Sequence, residues 1–345
     1  MALEDTNENR PNEEVQEPQD ELNQWSRPRL DLLRIKVAVD RVKEELQKVI
    51  IGQEAFIDLL LAALLAEGHV LVEGVPGIAK TLTAKLMAKT IEADFSRIQF
   101  TPDLMPSDVI GTTVYNLKTS EFTFNKGPIF SNFILIDEIN RAPAKTQAAL
   151  FEVMEEYQVT VDGTTHIMEC PFFVMATQNP IEQEGTYKLP EAQLDRFLMK
   201  ITLDYPSLED EQRILRRFRK DFKIDKNQEI KTVLAVSDLK ACRALVEQVH
   251  IEDSLLDYIA AIIHNTRNNG DLYLGASPRA SLAILKSAKA VAAMAGRDFV
   301  TPEDIRYVTY PVLNHRIILM PEREMEGLDA RDVINAIVQK IEVPR

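Results

Sequence analysis

Cysteine, clustered histidine, long apolar runs and net positive charge are all scarce in this 345-residue chain, and each scarcity excludes something. Two cysteines, Cys170 and Cys242, are too few for a disulfide framework and have no metal-ligand spacing, so a reducing, cytoplasmic setting is expected. His69, His166, His250, His264 and His315 are scattered without paired-ligand spacing. The longest apolar run, Leu59–Ala66, falls far short of the roughly 20 residues that span a bilayer, so no transmembrane segment is expected. The opening MALEDTNENR is acidic, unlike a secretory leader. Net charge is −14, and residues 1–24 hold eight acids against Arg10 alone. With almost no apolar side chains there, residues 1–29 are expected to be a disordered acidic tail, a solubilising arm or a docking segment. The remainder is acidic too, which argues against general nucleic-acid binding but is compatible with a local basic pore.

What is present is a globular composition, 45% apolar and 27% charged, on a chain long enough for two domains. Leu30–Val49 alternates charged and apolar residues as an amphipathic helix does, and Ala55–Glu67 reads as a second helix ended by Gly68. Short apolar runs then alternate with helical stretches: His69–Glu73, a helix over 80–92, Arg97–Phe100, Phe133–Asp137, a helix over 144–157, Phe172–Thr177 and Phe197–Leu203. That alternation predicts an α/β layer with a largely parallel sheet. Two insertions read as hairpins. Thr113–Asn116 returns through Glu121–Asn125 around Lys118-Thr119-Ser120, and Gln158–Val161 returns through Thr164–Met168 around Asp162-Gly163. Beyond Pro206 strand patterns fade, and helices are expected over 208–222, 237–249, 252–267, 278–295 and 302–310, the last opened by Thr301-Pro302. The expected division is an α/β domain over 30–205 and a smaller all-helical domain over 206–345.

The run Gly74-Val75-Pro76-Gly77-Ile78-Ala79-Lys80-Thr81 follows the apolar Val70, Leu71 and Val72 and leads through Leu82 into a helical stretch. A strand, a glycine loop and Lys-Thr at a helix start can hold a nucleotide triphosphate. Loop N–H groups meet phosphate oxygens, Lys80 reaches the terminal phosphates and Thr81 ligates Mg²⁺. Ala79 stands where the general pattern has glycine, and the loop alone is also compatible with a Gly-Pro turn followed by a surface lysine.

Phe133-Ile134-Leu135-Ile136-Asp137-Glu138 would deliver two carboxylates to the C-terminal edge of a parallel sheet, where the glycine loop also opens. Asp137 there would hold Mg²⁺ through water, and Glu138 would orient and deprotonate an attacking water. A core strand ending in solvated acids is the plainer alternative. Asn179, after the apolar Phe172–Ala176, could hydrogen-bond a γ-phosphate or the water, or begin an Asn-Pro turn. Arg196, at a helix end, could neutralise transition-state charge in a neighbouring subunit's site or be a solvated charge. Arg279, one residue past Ser277-Pro278, could swing onto the same phosphates or make a surface salt bridge.

The strings VIIGQ (49–53), GVPGIAKT (74–81), QFTPDLMPSDVIG (99–111), LIDEINRA (135–142), ATQNP (176–180), LPEAQLDRF (189–197) and GASPRA (275–280) together resemble the MoxR branch of the AAA+ ATPases, across residues 30–340. In that branch the residue before the loop lysine is commonly alanine, as at Ala79. The resemblance implies an AAA+ P-loop nucleotide domain followed by a helical lid, with ATP and Mg²⁺ as cofactors. It assigns Lys80 and Thr81 to Walker A, Asp137 and Glu138 to Walker B, Asn179 to sensor 1, Arg196 to the arginine finger and Arg279 to sensor 2. It also places Ile51 and Gly52 in the adenine pocket and makes the insertions at 102–128 and 158–168 pore-facing hairpins. Lys188 stands where an uncharged residue is more usual. The implied activity is ATP hydrolysis in a homo-oligomeric ring, most simply a hexamer, that remodels or activates a protein client, often with a von Willebrand factor A partner. A metal-chelatase motor subunit, and a nucleotide-dependent switch or scaffold with little turnover, are the alternatives.

Overall fold

Ile35, Val39, Val42 and Leu46 recur every three or four residues, and this stripe is the buried side of α1 (Leu33–Gln47). The computed structural model describes residues 31–118, 120–179, 187, 189–219 and 230–344; the predicted acidic tail, Thr119 of the first predicted turn, Pro180 and Lys188 lie outside them. α2 (Glu54–Leu65) is buried along most of its length. β1 (Val70–Gly74) runs into the glycine loop and then α3 (Lys80–Thr90). β2 (Phe95–Gln99) is followed by α4 (Pro106–Ile110), a one-turn helix that sequence periodicity did not announce; the Asp108 carboxylate accepts from the Met105 N–H at 2.9 Å to start it.

β3 (Gly111–Asn116) and β4 (Glu121–Lys126) form the first predicted hairpin, in register from Gly111 with Lys126 to Asn116 with Glu121. β5 (Phe133–Asp137), buried at every residue, leads to α5 (Ala144–Glu156). β6 (Gln158–Val161) and β7 (Thr164–Ile167) form the second hairpin. Its turn residues Asp162 (φ 49°) and Gly163 (φ 79°) are both left-handed, the geometry that Asp-Gly supplies. The two hairpins meet where the Phe124 ring stacks on His166 at 4.4 Å between centroids. β8 (Phe173–Gln178), α6 (Glu191–Leu194) and β9 (Met199–Leu203) complete the α/β part.

The main sheet has the order β2-β5-β8-β1-β9, with every neighbouring pair parallel. From β1 the chain crosses to the far edge at β2, returns through β5 and β8, and ends beyond β1 on the other side. Because the strands are parallel, the C-terminal ends of β1, β5 and β8 share one edge, and a reversal of strand order of this kind opens a crevice there.

Helices follow: α7 (Leu208–Phe218), α8 (Val236–Glu247) and α9 (Asp253–Arg267), then α10 (Pro278–Met294), α11 (Pro302–Leu313), α12 (Pro321–Met325) and α13 (Ala330–Lys340). Asp304 caps α11 by accepting from the Thr301 N–H at 2.8 Å, the start that Thr301-Pro302 predicts. α10 buries Ala280, Ala283, Ala288 and Ala292, small side chains that let α1, α2, α8, α9 and α11 approach it closely. The region is not wholly helical: β10 (Leu272–Leu274) and β11 (Ile318–Leu319) pair antiparallel, Leu272 with Leu319 and Leu274 with Ile318. Strands of three and two residues are too short to leave an alternating pattern in the sequence.

Candidate functional site

The glycine loop takes its shape from three residues. Gly74 is confined: a Cβ there would stand 2.8 Å from Ile78 Cδ1 and 3.0 Å from the Leu203 carbonyl oxygen. Gly77 has open space but φ of +88°, so its glycine is required by backbone conformation. Ala79 is left-handed as well, at φ 60° and ψ 19°, a conformation that costs a non-glycine residue about 1–2 kcal/mol. The general pattern's glycine and this chain's alanine therefore serve one geometry, and here the strain is retained. α3 begins at Lys80, so the amides of Lys80, Thr81 and Leu82 are first-turn N–H groups facing the loop. Lys80 folds back, its Nζ donating to the Gly74 carbonyl at 2.6 Å. Burial pulls the Lys80 ammonium below the usual lysine range, while the charges of Asp137, Glu138 and Glu73 oppose that pull.

Asp137 ends β5 on the same edge and Glu138 follows it, as the strand pattern predicts. Asp137 Oδ1 accepts from Thr177 Oγ1 of β8 at 3.1 Å, and its Oδ2 accepts from Arg97 Nε of β2 at 2.7 Å. Glu138 is left-handed, at φ 58° and ψ 51°, and its N–H donates to Thr177 Oγ1 at 3.1 Å. Its Oε2 accepts from Gln99 Nε2 at 2.8 Å and lies 3.1 Å from Arg141 Nε. Asn179 lies one residue past the end of β8, next in the row. The Thr81 hydroxyl has no hydrogen-bond partner among the described residues. A hydroxyl at the start of α3 and a carboxylate with unused lone pairs at the end of β5 are oxygen donors of the kind that suits a hard cation such as Mg²⁺, which takes one or two protein ligands plus substrate phosphates. No group of three or more His, Cys, Asp or Glu among the described residues forms a metal cage.

Arg196 and Arg279 meet on another carboxylate. Arg196 NH1 lies 2.9 Å from Glu155 Oε2 and donates to the Phe151 carbonyl at 2.7 Å; Arg279 NH2 lies 2.5 Å from Glu155 Oε1. Both guanidiniums thus sit on the solvent side of α5, side by side. The segment carrying Arg196 is anchored through its neighbour. Asp195 Oδ1 accepts from the buried Arg316 Nε at 2.7 Å, and its Oδ2 accepts from Ser277 Oγ at 3.0 Å, just ahead of α10. The other Arg316 nitrogens donate to the carbonyls of Asp195, Phe197, Leu198 and Val312.

Ile51 and Gly52 lie ahead of α2, and Gln53 ties their loop to the P-loop by donating from Nε2 to the Ile78 carbonyl at 2.6 Å. Gly52 has φ +73°, and a Cβ there would stand 2.5 Å from Asp210 Cγ in α7, so this loop and α7 are in close contact. The structure therefore gathers Gly74 to Leu82, Asp137, Glu138 and Asn179 along one edge, brings Ile51 and Gly52 to the loop through Gln53, and pairs Arg196 with Arg279 on Glu155. Sequence reasoning missed Arg97, Gln99, Arg141, Glu155 and Arg316. Only the first two left a signal, two polar side chains at alternate positions of an otherwise strand-like run.

Residues 69–199 match the family model described as "ATPase family associated with various cellular activities (AAA)", and residues 264–337 match the AAA lid domain. An uncharacterised protein, YeaC, of Bacillus subtilis is 48% identical over 301 residues, 87% of this chain and 93% of that one. The chaperone MoxR1 of Mycobacterium tuberculosis is 43% identical over 316 residues, 89% of this chain and 82% of that one. A crystal structure of a candidate ATPase from Cytophaga hutchinsonii superposes with a TM-score of 0.84 at 45% identity, covering 91% of this chain and 97% of its own. No helix among the described residues is long and apolar enough to cross a membrane.

Proposed function

The chain belongs to the MoxR family of AAA+ ATPases, and on that premise we propose that it binds ATP with Mg²⁺ and hydrolyses it in a ring of identical subunits. The observation that carries the reading is the strand order, which sets Lys80, Asp137 and Glu138 on one edge of a parallel sheet. The first-turn amides of α3 and the Lys80 ammonium would hold the β- and γ-phosphates. Thr81 and Asp137 would hold Mg²⁺, which neutralises charge developing on the phosphate oxygens when it is bound. Glu138, released from Gln99 and Arg141, would take the proton of an attacking water that Asn179 helps to align. Ile51 and Gly52 would flank the adenine.

Arg196 would complete the site of the adjacent subunit, which makes a closed ring, most simply a hexamer, the working form. Because Glu155 holds Arg279 beside Arg196, the two guanidiniums would address the same neighbour's phosphates. Residues 30–205 would act as the nucleotide domain and 206–345 as the lid. The contact of Gly52 with Asp210 in α7 supports passage of the nucleotide state to the lid. The output would be remodelling or activation of a protein client in the cytoplasm, through the β3–β4 and β6–β7 hairpins, with a von Willebrand factor A protein as adaptor. Exposed Phe122 and Leu117 on the first hairpin and Ile167 on the second support that use.

The test is Glu138→Gln. Hydrolysis should fall by about 10²–10⁴-fold while affinity for a fluorescent ATP analogue stays within about twofold. An unchanged rate would remove Glu138 from the chemistry and favour a different base.

A further inference from the structure

We propose that Arg97 is a built-in counter-ion for Asp137, which closes the metal position in the nucleotide-free protein and makes Mg²⁺ enter with the triphosphate rather than ahead of it. The proposal rests on the reading of Lys80, Thr81 and Asp137 as a Mg²⁺-nucleotide site. Arg97 lies on the edge strand β2, whose Gln99 is in register with Asp137. Alternation along the strand puts Arg97 and Gln99 on one face, and both turn toward the β5 carboxylates. Arg97 Nε donates to Asp137 Oδ2 at 2.7 Å, and its NH2 donates to Gln99 Oε1 at 3.3 Å. Asp137 is 11% exposed and Arg97 53%, so the cation closes the outer side of a nearly buried acid.

Charge decides the consequence. Asp137, Glu138 and Glu73 bring three negative charges to this edge, while Lys80, Arg97, Arg141 and Lys200, which pairs with Glu73, bring four positive ones. A divalent cation approaching alone meets an edge already compensated in charge, with one Asp137 oxygen engaged by a guanidinium. A nucleotide triphosphate adds about four negative charges and reverses that balance. Arg97, already half in water, then turns outward while the incoming cation takes over compensation of the nearly buried Asp137. It is a positioning residue, acting on the metal through Asp137.

The experiment is Mn²⁺ binding to nucleotide-free protein, followed by the loss of the free-ion EPR signal. Wild type should bind Mn²⁺ weakly. Arg97→Gln should tighten binding by about tenfold, and Arg97→Lys, which keeps the charge, should return it to the wild-type value. Adding Asp137→Asn to Arg97→Gln should abolish the gain. A Mn²⁺ isotherm for Arg97→Gln equal to wild type overturns the proposal, as does a gain that survives Asp137→Asn. If glutamine disturbs the edge strand, seen by circular dichroism, Arg97→Thr poses the same question with a β-branched neutral side chain. Binding of a fluorescent ATP analogue separates the two levels. Wild type that fails to bind it overturns the nucleotide reading. Wild type that binds it, with Arg97→Gln unaltered toward Mn²⁺, overturns the role of Arg97 alone.

Discussion

Two Arg–Asp pairs in this protein share the same contact, an arginine Nε 2.7 Å from an aspartate oxygen, yet their surroundings are opposite. Arg97 meets Asp137 at the edge of the sheet with its side chain 53% exposed; Arg316 meets Asp195 with 3% exposed. Arg316 has a partner for each nitrogen, four backbone carbonyls besides the carboxylate. Burial pulls its guanidinium below the usual range, and the Asp195 hydrogen bond and charge oppose that pull. Among the described residues Arg97 has only Gln99 in addition. A contact distance therefore says little about role. The saturated pair fixes the segment that presents Arg196, and the unsaturated pair leaves a carboxylate that a ligand can reclaim.

The hardest test of that contrast is the residue the saturated pair presents. Arg196→Ala should reduce hydrolysis by about 10³–10⁵-fold with ATP-analogue affinity nearly intact. Mixed rings of Arg196→Ala with Lys80→Ala should recover part of the activity, because each variant supplies what its neighbour lacks. Arg279→Ala should be rescued the same way, since Glu155 holds both arginines together. Rescue of Arg196→Ala without rescue of Arg279→Ala would mean that Arg279 serves its own subunit's phosphates.

The next test compares the pairs by stability. Arg316→Met leaves Asp195 without its buried partner and should destabilise the fold by about 3–5 kcal/mol in urea unfolding. Arg97→Gln should change it by less than about 1 kcal/mol. Equal losses would erase the distinction between a buried, fully partnered pair and a half-open one.

Legibility followed the distance between partners along the chain. The glycine loop, the acids after β5 and the Asp-Gly hairpin were readable because each carries its chemistry within a few neighbouring residues. The parallel sheet was readable because buried strands are continuous apolar runs. The partners were not. Arg97 reaches Asp137 only because β2 crosses to the edge beside β5, and Glu155 meets Arg196 and Arg279 from another helix. Arg316 is a lone charge ahead of the apolar Ile317–Met320 until folding brings it against Asp195. Ala79 was readable as a departure, but its left-handed backbone became visible only in three dimensions.

The last test concerns the other ends of the strands, where two buried histidines are as closed as the Arg316 pair and burial disfavours their protonated forms. His69 sits just ahead of β1, its Nδ1 accepting from the Val174 N–H at 3.1 Å and its Nε2 3.1 Å from the Met154 carbonyl. Burial pushes its pKa down to about 4, so the folded protein keeps the ring neutral where the unfolded chain would protonate it near 6.5. The unfolded state therefore binds more protons below pH 6.5, and the stabilisation present above that pH is lost as pH falls toward 4, by about 3 kcal/mol in all. His315 is pushed well below its ordinary range too, by burial and then by the charge of Arg316, and it adds to the same limb. Urea unfolding at pH 7.0, 5.5 and 4.5, as about three points across this window, should show the decline. His69→Gln can keep both hydrogen bonds without a titrating ring, so its decline should be shallower by roughly the His69 share. An unaltered slope in that variant would mean the ring is already protonated in the folded state, and these strand ends would not be closed in the way the Arg316 pair is.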